Sequence, residues 1–488
     1  MATAPAADPR SARLSPDPNS SLADATNNLS AGVIARQLLH HAWPVLVAQM
    51  LSISMMIADT LIASRYGTTD LAAVAIGSSF YVSVVMLLVG ILQAVAPTIA
   101  QHFGANRVHA IGPALQQGIW LALLLSVPGT LILAYPEALL TLARVPAEIA
   151  EGAAAYLRAT ALGLPAALLY RTFYAFNNAV GRPRVLIIIS LLLASTHIPL
   201  ASALTHGHLD FIGLPALGGA GCGISTAIVS WLGAIGGLLH LRRSAAYKPY
   251  AIFSHWRRPH LREIGKLLRL GVPMGFSSFI EITSFTLIAF FIARLGTEAV
   301  AGHRVVANIA SLVYMLPLAM SIATMVLVGQ AAGAHNWARA RATVRISLYL
   351  SAASASLIGI GLWLVREPVL ALSSEDPAVR AIALGLIVYV CLYQLTGSIQ
   401  TVASYALRGF KVTLLPMALH TLSFWGIGLG GGYWATYHAF GREAAPSISG
   451  FWEASVAATV LAALLFGLLL RRVLRRKAEA YGGVRSKG

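Results

Sequence analysis

The sequence predicts an all-α integral membrane protein, twelve transmembrane helices in two six-helix lobes related by a parallel repeat. Three observations carry that expectation. Hydrophobic residues make up 57% of the 488 and charged residues only 11%, with a mean hydropathy of +0.71, far more apolar than a soluble domain. About twelve apolar runs reach the roughly 20 residues that a helix needs to cross a bilayer core, and none shows the short alternating pattern of a membrane β-barrel strand. The third observation is a duplication. The stretch from Trp43 to Ala105 returns without a gap from Val272 to Ala334, 229 positions on: Pro44 falls on Pro273, Gly67 on Gly296, Thr68 on Thr297, Gln101 on Gln330, Gly104 on Gly333 and Ala105 on Ala334. Self-similarity over such a length marks a repeated structural unit.

In chain order, residues 1–34 are rich in Ala, Pro, Ser, Asn and Asp. They lack the apolar core of a signal peptide and read as a disordered cytoplasmic tail. The N-lobe, 35–241, holds spans at 42–64, 72–98, 115–135, 156–178, 184–204 and 219–241. A basic cytoplasmic linker occupies 242–266 and contains Pro249 and Pro259. The C-lobe, 267–470, holds spans at 267–293, 303–330, 346–365, 380–407, 413–437 and 450–470, and 471–488 form a second basic cytoplasmic tail. Each half has an even number of spans, so both copies enter the membrane from one side. The repeat is therefore parallel, and the space between the lobes is the natural binding cavity. Pro44, Pro165, Pro199, Pro273 and Pro317 within spans allow kinks, although proline is common in membrane helices. A glycine run at 426–432 suits close helix packing.

The formal net charge of +17 invites a nucleic-acid reading, so its placement matters. With the chain starting inside and residues at a span's edge counted with the adjoining loop, 26 of the 35 Lys and Arg fall in the tails and even-numbered loops, eight on the far side, and Arg171 deep within a span. That asymmetry predicts a multi-pass protein of the plasma (inner) membrane with both termini cytoplasmic. The basic segments then face anionic lipid, and nucleic acid is not required as a partner. Cys222 and Cys391 both fall in apolar spans, with no disulfide or zinc spacing.

Ionisable groups inside a bilayer are expensive, and each one there is a functional candidate. Asp59 lies two-thirds along the first span and Glu281 follows the Pro273 break in the seventh. Their repeat positions are not equivalent, since Ser52 lies opposite Glu281 and Ile288 opposite Asp59. Low dielectric favours a neutral carboxyl and a neighbouring cation favours the ionised one, so such a group can exchange a proton for cationic cargo. Phe285, Phe290 and Phe291 beside Glu281 suit a lipophilic cation, or simply face lipid. His197, deep in the fifth span, is either hydrogen-bonded packing or a proton-sharing partner of Asp59. There is no phosphate-binding loop, nucleophile elbow or metal cluster, so an enzyme is not expected and transport must draw on an ion gradient.

Several motifs together resemble the MATE (multidrug and toxic compound extrusion) family, and its NorM-like branch in particular, over nearly the whole chain after residue 30. They are Ala58-Asp59-Thr60 with Gly67, Gln101-His102-Phe103-Gly104-Ala105, Gly181-Arg182-Pro183, Leu217 through Gly223, Gly271-Val272-Pro273 with Glu281, and Leu407-Arg408-Gly409. The resemblance implies efflux of cationic or lipophilic organic compounds coupled to inward H⁺ or Na⁺, with no bound cofactor. It makes Asp59 the coupling aspartate, matches Thr226 to a threonine that accompanies it, and in the second lobe matches Glu281 to the family glutamate and Tyr393 to a tyrosine of the tenth helix. Where the family often has two Asn or Asp in the fifth helix, this chain has His197 and Ala201. The acid usual four residues after the tyrosine is Gly397. Loss of that oxygen ligand disfavours sodium and points to proton antiport.

The expected mechanism is competition between protons and an organic cation at Asp59 and Glu281, with the lobes rocking about the cavity of a monomer. The rivals are a sodium-coupled exporter of the same family, a flippase for lipid-linked sugars, a major-facilitator transporter and an intramembrane enzyme. Flippases of this kind place several cations in the cavity, whereas only Arg171 is visible deep within a span here.

Overall fold

A computed structural model of the chain describes residues 30–208, 213, 215–438 and 447–485. Among these described residues eleven helices are long and apolar enough to cross a membrane. The N-lobe is built from α1 (Ala31–Tyr66), α2 (Thr68–Leu92) continued after a short turn by α3 (Val95–Gly104), α4 (Val108–Ala134), a short α5 (Glu137–Leu142), α6 (Ala147–Ala179), α7 (Arg184–His206) and α8 (Gly219–Arg243). The C-lobe contains α9 (Leu261–Ile292), α10 (Thr297–Gly333), α11 (Trp337–Leu364), a short α12 (Arg366–Ser373), α13 (Pro377–Gly409), α14 (Leu414–His420), α15 (Gly432–Tyr437) and α16 (Ser449–Arg485).

The predicted span at 413–437 is not one regular α-helix. Thr421–Gly431 winds as a π-helix between α14 and α15, and both junctions keep right-handed helical backbone. The three pieces run end to end and complete the set of twelve spans. Side chains from α9 hold the wide turns: Ser284 Oγ donates to the Phe424 carbonyl at 3.0 Å and Trp425 Nε1 donates to Thr283 Oγ1 at 3.2 Å. A carbonyl bonded from outside can leave the regular i to i−4 ladder without loss. In the glycine run, Gly432 is closely packed, since a Cβ there would meet Phe451 at 2.7 Å, whereas around Gly426 and Gly431 the nearest neighbours belong to the same helix.

The segment boundaries move outward from the apolar runs. Helix α1 begins at Ala31, inside the assigned 1–34 tail, with the Ser30 hydroxyl accepting from the Val33 N–H; residues before 30 lie outside the described ones. The assigned linker 242–266 shrinks to 244–260, and the basic tail from 471 is largely a continuation of α16. Apolar length marks only the part of a helix that sits in lipid, and each of these helices runs on past it into charged turns. The proline positions likewise fall inside continuous helices rather than at breaks.

The lobes meet mainly through α1 on α10, α2 on α9 and α3 on α10. The duplication supplies matched contacts across this interface. Glycine is required where the backbones touch: a Cβ on Gly104 would stand 1.8 Å from the Gln330 carbonyl oxygen, and one on its repeat partner Gly333 would stand 2.0 Å from that of Gln101. The glutamine side chains reach in opposite senses across the same boundary. Gln101 Nε2 donates to the Gly409 carbonyl at 2.9 Å and Gln330 Nε2 to the Ala179 carbonyl at 3.0 Å. Nearby, Arg408 donates to Gln93 at 2.7 Å and Arg339 to Gln37 at 2.9 Å. The turns that follow are matched too, since Asn106 and His335 both sit at φ 54. These contacts gather at the end of the bundle where α1 begins and α10 ends, so the lobes are closed there.

Candidate coupling and cargo site

Asp59 lies well beyond that closure, toward the far end of α1. Only 8% of it is exposed, because α7 and α8 cover it. His197 Nε2 stands 2.8 Å from Asp59 Oδ1, and the histidine itself is 1% exposed. Ser225, from α8, completes the group. Its Oγ lies 3.1 Å from His197 Nδ1 and also 3.1 Å from the His197 carbonyl oxygen. Cys222 and Ala201 close the apolar floor with Ile62, Ala63, Val74 and Tyr156.

This geometry accommodates two proton loads without moving a heavy atom. In one, His197 is neutral, donates from Nε2 to the Asp59 carboxylate, and accepts from Ser225 at Nδ1. In the other, the pair holds one more proton. The imidazolium then donates from both nitrogens, Ser225 Oγ accepts from Nδ1, and the serine proton turns to the His197 carbonyl. Both ring nitrogens of His197 and the Ser225 hydroxyl have a partner in either case. Ser225→Ala removes the acceptor for a buried charged donor, an interaction of about 1.5–3 kcal/mol.

The C-lobe acid is held differently. Glu281, on α9 and partly buried, accepts from the Tyr314 hydroxyl at 3.3 Å. That hydroxyl also lies 3.3 Å from Thr401 Oγ1, which donates to the Gly397 carbonyl at 2.8 Å and accepts from Gln400 Nε2 at 3.0 Å. Tyr393 is buried and meets Phe285 edge to face, with ring centroids 5.6 Å apart. The nearest neighbour of a Cβ on Gly397 is the Tyr393 ring, at 3.6 Å, so the position where the family usually carries an acid borders this tyrosine. Among the described residues no Lys or Arg forms an ion pair with Asp59 or Glu281. Arg408 instead bonds Gln93 and sits 4.2 Å from the Tyr405 ring, and Arg171 lies 5.8 Å from the Tyr174 ring.

Of the residues singled out in the sequence, Asp59 and His197 are in contact, and Glu281 and Tyr393 lie in the other lobe. Thr226 is not in the Asp59 group; its neighbour Ser225 is, while the Thr226 carbonyl accepts from Ser230. Two hydroxyls in contact with these candidate residues, those of Ser225 and Tyr314, thus escaped the reading of the sequence. Tyr314 had a visible signal: it stands at the repeat position of Val85, so the two halves differ there as they do at Glu281.

The MatE family model matches residues 44–202 and 273–434. A probable multidrug resistance protein NorM of Aromatoleum aromaticum is 64% identical over 447 residues, covering 92% of this chain and 96% of that protein. The multidrug resistance protein PmpM of Pseudomonas aeruginosa is 34% identical, covering 90% and 92%. Among solved structures, the Vibrio cholerae MATE transporter VcmN in its bent form has a TM-score of 0.81 at 18% identity, covering 92% of this chain and 99% of that one. The eukaryotic MATE transporter AtDTX14 has a TM-score of 0.81 at 18% identity, covering 92% and 98%. The family match across both repeats and the close NorM relative join the motifs read from the sequence, and this integral, multi-pass membrane protein belongs to the MATE family, in its NorM-like branch.

Proposed function

We propose that this protein is a secondary active multidrug exporter of the inner membrane, both termini cytoplasmic, that moves cationic or lipophilic organic compounds outward in exchange for H⁺. The relatives named as multidrug resistance proteins support the cargo class. The observation that carries the ion is the buried Asp59, His197 and Ser225 group. A nitrogen base 2.8 Å from the carboxylate suits a proton, which needs one acceptor; a sodium ion wants several hard oxygens around it. Closure of the lobes at the terminus-bearing end corresponds to an outward-facing state. External protons then load the N-lobe pair, the negative charge that balanced the cargo is neutralised, and the cation leaves. Rocking opens the cytoplasmic side, where the proton departs and the negative site is restored.

The test is efflux of a fluorescent cation from proteoliposomes under either an imposed pH step without sodium or a sodium step at constant pH. The proposal expects the pH step alone to drive efflux. Transport that follows the sodium step and ignores the pH step assigns the alternative, sodium-coupled exchange.

A further inference from the structure

The segment joining the lobes is a built surface rather than a loose tether. Gln116 on α4, 1% exposed, donates to the carbonyls of Ile252 at 2.6 Å and His255 at 3.0 Å, and accepts from the Arg257 N–H at 3.2 Å. Gln117, 5% exposed, donates to the Arg258 carbonyl at 3.2 Å and accepts from the His260 N–H at 2.8 Å. Trp120 Nε1 adds a bond to the Arg257 carbonyl at 3.0 Å. Tyr247 and Tyr250 tuck under Phe176, and burial pushes the Tyr247 phenol up to about 12, leaving it a neutral donor to Asn177. Buried amides read both edges of this backbone, so Arg257 and Arg258 are carried on a rigid rim.

That rim borders a cavity of about 1530 Å³ shared by both lobes. Around it stand Arg257, Arg258, Lys266, Arg269 and Lys411, with His102, His109 and His260. The single acid among the described lining residues, Glu263, is bonded to Lys266 at 2.7 Å. Among the described residues no carboxylate pairs with Arg257, Arg258, Arg269 or Lys411. The remaining wall is mostly apolar, including Pro113, Leu267 and Leu270, and Leu414 and Leu415 in it are 68% and 49% exposed. A concentration of cations repels an organic cation, so this is not a path for the proposed cargo. Fixed cations next to open leucines suit an anion that carries a hydrocarbon tail.

We infer that this cavity binds an anionic glycerophospholipid of the cytoplasmic leaflet, its phosphate among Arg257, Arg258 and Lys411 and its acyl chains along Leu267, Leu270, Leu414 and Leu415. The site does not depend on the coupling ion or the cargo, and its test measures binding without transport. The full chain, released from detergent for native mass spectrometry after incubation with equal amounts of phosphatidylglycerol and phosphatidylcholine, should retain phosphatidylglycerol preferentially. Arg257→Gln, Arg258→Gln and Lys411→Gln together should lower that retention roughly a hundredfold, at about a fivefold loss per surface cation. The charge-preserving set Arg257→Lys, Arg258→Lys and Lys411→Arg should keep it, as should Arg471→Gln with Arg472→Gln on α16. Equal retention of the two lipids by the unaltered protein would overturn the inference. So would undiminished retention in the triple glutamine variant, or displacement of the lipid by inorganic phosphate, which would assign the cavity to a soluble anion.

Discussion

Reconstituted protein carrying Asp59→Asn and Glu281→Gln should show pH-driven efflux of a fluorescent cation no faster than the leak of protein-free liposomes. Both changes keep side-chain volume, and the amide introduced by Asp59→Asn can still meet His197, so the fold is spared. What disappears is the negative charge in each lobe. Removing one partner of a buried charge pair costs about 3–5 kcal/mol, a factor of roughly a hundred to several thousand in cargo binding. Asp59→Asn alone should abolish the dependence on external pH, because the proton shared with His197 at 2.8 Å has lost its carboxylate. Glu281→Gln alone should weaken cargo binding while leaving the pH dependence in place, because Tyr314 can donate to the amide oxygen as well. Undiminished transport by the double variant would remove the competition mechanism altogether.

Gly104→Ala and Gly333→Ala should each open the closed end of the bundle and slow efflux at least tenfold. The added methyl meets a backbone carbonyl at 1.8 or 2.0 Å, and backbone cannot rotate aside as a flexible side chain would. Overpacking of this kind costs about 1–3 kcal/mol or more, which shifts a two-state balance by about five- to more than a hundredfold. Spin labels on Arg107→Cys and Arg341→Cys, one in each lobe, should report a longer distance that dominates in the variants and is minor in the parent protein. Gly467→Ala is the control: nothing lies within 4 Å of a Cβ there, and both distance and efflux should stay as they were. An unchanged distance distribution in Gly104→Ala would show that the glycine contact does not hold the lobes.

The sequence alone determined the membrane class, the twelve spans and the duplication, because bilayer length and repeat spacing are written locally along the chain. It also singled out Asp59 and Glu281, since a carboxylate inside an apolar run stands out at whatever angle it points. Partner choice was not legible in the same way. Ser225 and Thr226 are both small hydroxyl residues on one helix, but adjacent residues point about 100° apart, and only the packing of α8 against α7 decides which of them meets His197. Tyr314 reaches Glu281, and Gln116 and Gln117 hold the segment between the lobes, through contacts between residues 33 to 143 positions apart. The π-helical span depends on hydroxyl and indole donors that link it to α9. These features belong to tertiary structure for one physical reason: a hydrogen bond is made to whichever group the folded chain brings within about 3 Å, and sequence periodicity specifies the face of a helix but not the neighbour it will meet.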